Sequence, residues 1–269
     1  MTAAKTINNE RPLSVVCMKW DGGAKRAKYR EYSANHVFAL REMVQRNLSI
    51  PHEFCCITDD PGSLQHDMKT IEIPARFRKM RGCYPKLALF SKECAELLCK
   101  RVLYVDLDTC IAGSLDPLIP AGDVDFKVAA KRVSFTLWDL MSSKRARRHR
   151  AFFRSGYKFN AALMSLNPGS LADVLNGFDE KKAQKLHDDY FVTGGDQVWL
   201  QHKLDSSREI WTTADGVYSY SSYGKKKRFE KPDNLAVMNF GGSYAPWLNE
   251  VLAASPWIRE YYPLEILNV

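Results

Sequence analysis

The chain has 269 residues, 45% of them hydrophobic and 26% charged. That composition excludes a disordered polar tract and supplies enough apolar surface to fold without a disulfide or metal staple. Lysine and arginine outnumber aspartate and glutamate by 39 to 31, a formal net charge of +8, which suits an anionic partner such as a nucleotide, a phosphosugar or an acidic membrane surface. No apolar run approaches the roughly 18 residues of a membrane span. The first seventeen residues hold no continuous apolar core of the kind a secretory leader needs. The expectation is a cytoplasmic protein without a transmembrane segment.

The seven cysteines, Cys17, Cys55, Cys56, Cys83, Cys94, Cys99 and Cys110, form no CxxC pair. An odd count in apolar surroundings reads as free buried thiols of a reducing compartment, not as a disulfide framework or a zinc site.

In chain order, the first element is a β-branched apolar run at 13–18, read as a buried strand. Residues 33–48 place Val37, Leu40, Val44 and Leu48 on one helical face, with Ser33 as N-cap. A strand at 52–58 runs into a polar turn, and a short strand follows at 69–73. Helical spacing covers 84–100, and residues 101–109 give the clearest strand of the chain. This alternation predicts an α/β sheet with parallel strands. Further on, strands are expected at 126–132, 158–166 and 234–240, with helices at 170–178 and 194–204. The basic runs at 142–154 and 224–228 read either as solvated loops or as anion-facing segments, including peripheral contact with a membrane. Charge without zinc-finger or RNP-like spacing argues against nucleic acid. No repeat or linker divides the chain, so one domain over 1–269 is expected.

The chemistry-bearing motif is Asp106-Leu107-Asp108, at the end of the 101–109 run. Residues i and i+2 of a strand share a face, so both carboxylates are expected to point to one site. Ligands of open α/β sheets bind beyond the carboxyl ends of the strands. Two hard oxygen ligands there suit Mg²⁺ or Mn²⁺, with water and substrate phosphates taking the other positions. The alternative is a strand end carrying two solvated aspartates.

The segment RVLYVDLDTCIAGSLDPL resembles the DxD region of GT-A fold glycosyltransferases, especially those of glycosyltransferase family 8. Upstream, SVVCMKW, FCCITDDP and GCYPKLALF resemble the first strand, the second strand and the helix before the DxD. Downstream, FNAALMSLN resembles the family's FNxGxxxxN strand, and GGDQVWL its GDQ helix start. NFGGSYAPW aligns with its closing HxxGxxKPW motif. These ordered matches span nearly the whole chain.

The resemblance implies a single GT-A domain, a Rossmann-like mixed sheet flanked by helices. It implies a hexosyltransferase that uses a nucleotide-diphosphosugar, read as a UDP-sugar, with a saccharide, lipid or protein as acceptor and retention of anomeric configuration. It implies a divalent cation, Mn²⁺ or Mg²⁺, held by Asp106, Asp108 and the residue at the closing histidine position, here Asn239. By the same resemblance Lys86 contacts the donor diphosphate, Asn160 and Ala161 line the sugar pocket, and Asp196 and Gln197 meet the transferred sugar near its reacting carbon. Trp20 and Asp21 flank the nucleotide base, and Gly242 is the substrate-binding glycine of the closing motif. Two departures stand out: the histidine is Asn239, whose amide oxygen is still a hard donor, and the phosphate-facing lysine is Ala245. Lys225, Lys226, Lys227 and Arg228 are candidates to replace that charge. Either the enzyme is retuned or it binds nucleotide sugars without turnover.

Two readings from other classes compete. A haloacid-dehalogenase-type phosphatase also carries a DxD after an apolar strand, but with a threonine two residues on and close to the N-terminus, whereas Asp108 is followed by Thr109-Cys110 deep in the chain. A basic nucleic-acid-binding protein leaves the ordered motifs unexplained.

Overall fold

Short runs of β-branched and apolar residues pair into a seven-stranded sheet, ordered β3-β2-β1-β4-β7-β6-β8. β1 (Leu13–Lys19), β2 (His52–Thr58), β3 (Lys69–Glu72) and β4 (Arg101–Val105) are parallel. β7 (Phe159–Leu166) runs against β4, β6 (Phe126–Ala130) runs against β7, and β8 (Glu209–Trp211) is parallel to β6. One reversed strand, β7, therefore makes the sheet mixed where alternation alone predicted a parallel one. A second sheet joins β5 (Thr109–Ile111), β10 (Val237–Asn239) and β9 (Val217–Ser219) in that order. The computed structural model describes residues 13–20, 32–64, 68–122, 124–130, 159–190, 195–204, 208–223, 230–241 and 244–267. The two basic runs, Asp21 and Gly242 lie outside them.

The helices are α1 (Ala34–Asn47), α2 (Ala75–Arg78), α3 (Lys92–Leu97), α4 (Glu180–Tyr190), α5 (Gly195–Lys203), α6 (Tyr220–Tyr223), α7 (Asn249–Ala254) and α8 (Ile258–Tyr261). α1 starts at Ser33 as expected, with the backbone N–H of Ser33 donating to Nδ1 of His36 at 3.0 Å. The expected helix over 84–100 is divided. A 3₁₀ segment, Tyr84–Phe90, gives way at Ser91 to α3. Ser91 is extended, with φ −80° and ψ 151°, and its hydroxyl accepts from the Cys94 N–H, so it caps a new helix and ends the old one.

Both faces of the large sheet are covered, as continuous apolar strands require. Val15, Cys17, Leu103 and Val105 face a core shared with α1, the small sheet and the C-terminal helices. Val16, Met18, Val102 and Tyr104, the alternate residues, face a core with Leu87, Leu89, Trp199 and Leu200 from the 3₁₀ segment and α5. Each fully buried valine or leucine contributes about 1.5–3 kcal/mol of transfer free energy. None of the seven cysteines forms a disulfide; Cys83 and Cys99 are half-buried and the other five buried.

The expected strand over 101–109 is broken, with a consequence for the DxD. β4 stops at Val105, the Asp106 N–H donates to the Ala162 carbonyl at 2.8 Å, and the chain bends at Leu107 and Asp108 before entering the second sheet at Thr109. The two carboxylates are thus not strand neighbours on one face. The expected strand over 234–240 is trimmed to β10, and the helix over 170–178 is a single 3₁₀ turn, Ala172–Leu175. No helix of the described residues is long and apolar enough to cross a membrane.

Candidate active site

The reversal of β7 builds the site. Parallel strands deliver their carboxyl ends to one edge of the sheet, and an antiparallel neighbour delivers its amino end to the same edge. Val105 pairs with Leu163, so residues 159–162 extend β7 beyond the end of β4. There β7 also slips against β6: Val128 pairs with Met164, but Ala129 pairs with Asn160. Such a bulge frees backbone groups to point elsewhere. The freed Ala161 carbonyl accepts a hydrogen bond from Lys86 Nζ at 3.2 Å.

Lys86 is the centre of the cluster. The 3₁₀ segment carries it under the sheet edge, where it is 4% exposed. Its Nζ lies 2.8 Å from Asp106 Oδ1 and 3.4 Å from Asp196 Oδ2. With the Ala161 carbonyl, three oxygens surround one ammonium, Asp196 as an ion pair only. Burial opposes the charge, but Asp106 and then Asp196 hold the Lys86 pKa well above its ordinary value. Asp196, on the first turn of α5, is 1% exposed, and apart from Lys86 its carboxylate has no side-chain partner among the described residues. Burial raises its pKa; Lys86 pulls it down, and the neighbouring Asp106 pushes it back up. Asp106 is the outward member, with a quarter of its side chain exposed. Tyr104 donates to Asp106 Oδ1 at 2.6 Å.

The approach of α5 depends on Gly195. A Cβ there would lie 2.5 Å from Cζ and 2.5 Å from the hydroxyl oxygen of Tyr84. Tyr84 is buried at the head of the 3₁₀ segment and edges onto Phe178. Glycine is what lets the amino end of α5 close on that ring and bring Asp196 to Lys86.

Asp108 and Asn239 lie together where the chain enters the second sheet. The Asp108 carbonyl accepts from the Phe240 N–H at 2.9 Å, and Asn239 pairs with Thr109 across the second sheet. Both side chains are buried, at 4% and 2% exposure. Thr109 Oγ1 donates to Asn239 Oδ1 at 3.2 Å, and Asn239 Nδ2 has no partner among the described residues. The two amide orientations are nearly isosteric, and a hydroxyl can donate or accept. Turning the amide over would satisfy Nδ2 at Thr109 and direct the oxygen to the orphaned position. Ala245, at the position of the family lysine, is 2% exposed. The segment around it is clamped by rings: Tyr220 stacks on Phe240 at 4.6 Å, and Trp247 edges onto His36 at 4.3 Å.

Lys86, Asp106, Asp196 and Ala161 therefore converge. Gln197 is half-buried beside Asp196, and the Asn160 side chain accepts from the Ala162 N–H at 3.3 Å. Trp20 follows β1 at the same edge and packs against the core that contains Tyr104. Asp21, Gly242 and residues 225–228 lie outside the described residues. Sequence reasoning missed Tyr104 and Tyr84. The spacing of Tyr104 two residues before Asp106 was the available signal, masked because an aromatic in an apolar strand reads as core.

No known family model matches this chain, and no curated protein sequence does. Among solved structures, an active-site mutant of LgtC superposes with a TM-score of 0.57 at 14% identity, over 88% of this chain and 90% of that one. The galactosyltransferase LgtC with donor and acceptor sugar analogues gives 0.56 at 15% identity, over 89% and 91%. The apo form of the glycosyltransferase GlyE of Streptococcus pneumoniae TIGR4 gives 0.51 at 14% identity, over 88% of this chain and 56% of its own. The fold is that of the GT-A glycosyltransferases. In the GT-A fold described here, the Lys86 cluster occupies the edge where the parallel strands end, the position at which open α/β sheets bind ligands.

Proposed function

We propose that this chain is a hexosyltransferase, moving a sugar from a nucleotide-diphosphosugar, most simply a UDP-sugar, to a saccharide, lipid or protein acceptor, with a divalent cation and retention of configuration. The observation that carries the reading is the buried ammonium of Lys86, held between Asp106 and Asp196 at the ligand-binding edge of a GT-A sheet. A charged, desolvated cluster is costly to bury, and at such an edge it marks a functional site.

The donor set fits a cation shared with substrate. Among the described residues no group of three or more histidine, cysteine, aspartate or glutamate side chains could hold a metal by itself. Asp106 Oδ2 accepts no hydrogen bond from a described residue, since both its partners use Oδ1. Asn239 carries an orphaned amide atom beside Asp108. One or two carboxylates with substrate phosphates and water is the usual Mg²⁺ arrangement. Asp106, Asp108 and Asn239 would hold the ion, which when bound supplies Lewis-acid stabilisation of the departing diphosphate.

The chain's own groups do the rest. Lys86 adds positive charge near a phosphate that becomes more negative as the bond breaks, a role made heavier by the buried alanine at 245. Asp196 and Gln197 would orient the sugar, and Trp20, at the end of β1, would pack against the nucleotide base. Phosphatase and nucleic-acid readings gain no support from this fold. A binding protein without turnover is the second reading, favoured by Ala245 and by the fully engaged Lys86.

Calorimetry with UDP-hexoses, with and without Mn²⁺, on wild type and Asp108→Asn tests the binding half. Cation-dependent binding lost in the variant supports the proposal, and cation-independent binding by both proteins overturns it. Release of UDP with an acceptor extract present then separates enzyme from binding protein.

A further inference from the structure

We propose that Tyr104 is a positioning residue that fixes which oxygen of Asp106 faces the substrate. The inference rests on the glycosyltransferase reading and deepens it at the metal-facing carboxylate.

Asp106 sits one residue beyond β4, so the strand ladder does not determine where its carboxylate points. Tyr104 is inside the ladder. It pairs with Val16 of β1 on one side and Met164 of β7 on the other, and it is fully buried. Its ring belongs to the core that also holds Leu87 and Trp199. From that anchored position the phenol donates to Asp106 Oδ1 at 2.6 Å. The Lys86 ammonium meets the same Oδ1 at 2.8 Å and lies 5.1 Å from the centre of the Tyr104 ring, within the range of a cation–π contact. One side chain thus touches both members of the ion pair.

The consequence is an asymmetric carboxylate. Two donors converge on Oδ1, and none from a described residue reaches Oδ2. Asp106 is held through Oδ1, and Oδ2 would be the oxygen offered to a cation or its water. Packing does not require the hydroxyl, because phenylalanine would fill the same space among apolar neighbours. What the hydroxyl adds is the tether to Asp106. Partners of this kind commonly govern metal affinity by about 10–100-fold without touching the metal.

The test is Tyr104→Phe, with three readouts. Titrating Mn²⁺ into protein plus UDP, followed by the electron paramagnetic resonance of the free ion, is expected to show affinity about tenfold weaker or worse. Melting of the cation-free variant is expected to stay near that of wild type, because only a bond to a partly exposed carboxylate is lost. A crystal structure of the cation-free variant is expected to show Asp106 turned away from its wild-type orientation. Unchanged Mn²⁺ affinity, an unmoved Asp106, or a melting temperature far below wild type would each overturn the assignment; the last would mean that the hydroxyl serves the fold. If wild type itself binds no Mn²⁺ with UDP, the glycosyltransferase reading fails, and the orientation of Asp106 in the variant still decides whether Tyr104 positions it.

Discussion

Lys86 Nζ stands 2.8 Å from Asp106 Oδ1, yet only 5% of the lysine side chain is exposed against 25% of the aspartate. The pair is therefore one-sided: a buried cation reaching toward an anion at the rim. A second carboxylate, Asp196, lies behind it and is sealed from water. Removing the cation would leave that inner carboxylate with only the Gln197 backbone N–H to offset its burial.

Lys86→Met keeps most of the stem and deletes the charge. Breaking a buried pair from one side typically costs about 3–5 kcal/mol, and urea unfolding should show a loss of that order at neutral pH. The pKa of Asp196 is already raised by burial. A carboxyl with a raised folded pKa contributes stability that is present below its unfolded pKa and lost as pH rises through the folded one. The variant should therefore recover stability as pH falls from neutral, when Asp196 takes up a proton. A variant as stable as wild type at neutral pH contradicts the buried pair.

Gly195→Ala places a methyl against the Tyr84 ring. Overpacking of this kind costs about 1–3 kcal/mol, and Tyr84→Leu in the same chain should return part of it. Chemical denaturation of the two single variants and the double variant measures the coupling. Strict additivity would mean that the two residues do not press on one another.

How much of this was legible in the sequence follows from what each signal measures. β1, α1 and β2 were plain because apolar periodicity reports burial of an element's own faces. The reversal of β7 and the small sheet were not, because a strand's sequence does not name its partner or its direction. The DxD was found, but its assumed i, i+2 geometry failed at Asp106, where the ladder passes to Ala162 and the chain leaves the sheet. α4 was missed because Glu180–Tyr190 has lysines and aspartates throughout and only Ala183 is fully buried among its described side chains. Lys86, equally readable as a surface lysine, is buried because three acceptors from distant parts of the chain converge on it.

His36 gives the pH dependence its other component. It is 9% exposed, its Nδ1 accepts from the Ser33 N–H, and burial lowers its pKa from 6.5 to about 4. A depressed folded pKa means that the unfolded chain binds the proton more readily. Stability from this group is present above about 6.5 and is lost as pH falls toward 4, by on the order of 3 kcal/mol in all. His36→Gln retains a side chain suited to a capping box, so it should flatten that part of the stability–pH curve. An unchanged slope between those values would place the acid sensitivity elsewhere.

Asn239 is the departure most open to experiment. Asn239→Ala should weaken both Mn²⁺ and Mg²⁺ in the presence of UDP. Asn239→His should raise Mn²⁺ affinity relative to Mg²⁺, because imidazole nitrogen suits the softer ion. Titration of both metals into the three proteins checks this. Equal affinities throughout would remove Asn239 from the cation site.

The Asp106–Asp108 edge should take a nucleotide-diphosphosugar together with a divalent cation. Thermal shift with UDP-, GDP- and CMP-sugars, each with and without Mn²⁺ or Mg²⁺, reads this in one experiment. A ligand at about one hundred times its Kd stabilises the native state by about 2.7 kcal/mol, well within reach of the method. Melting temperature should rise with one class of nucleotide sugar, with the cation present, and the rise should be lost without it. No shift with any nucleotide sugar, or one indifferent to the cation, would contradict it.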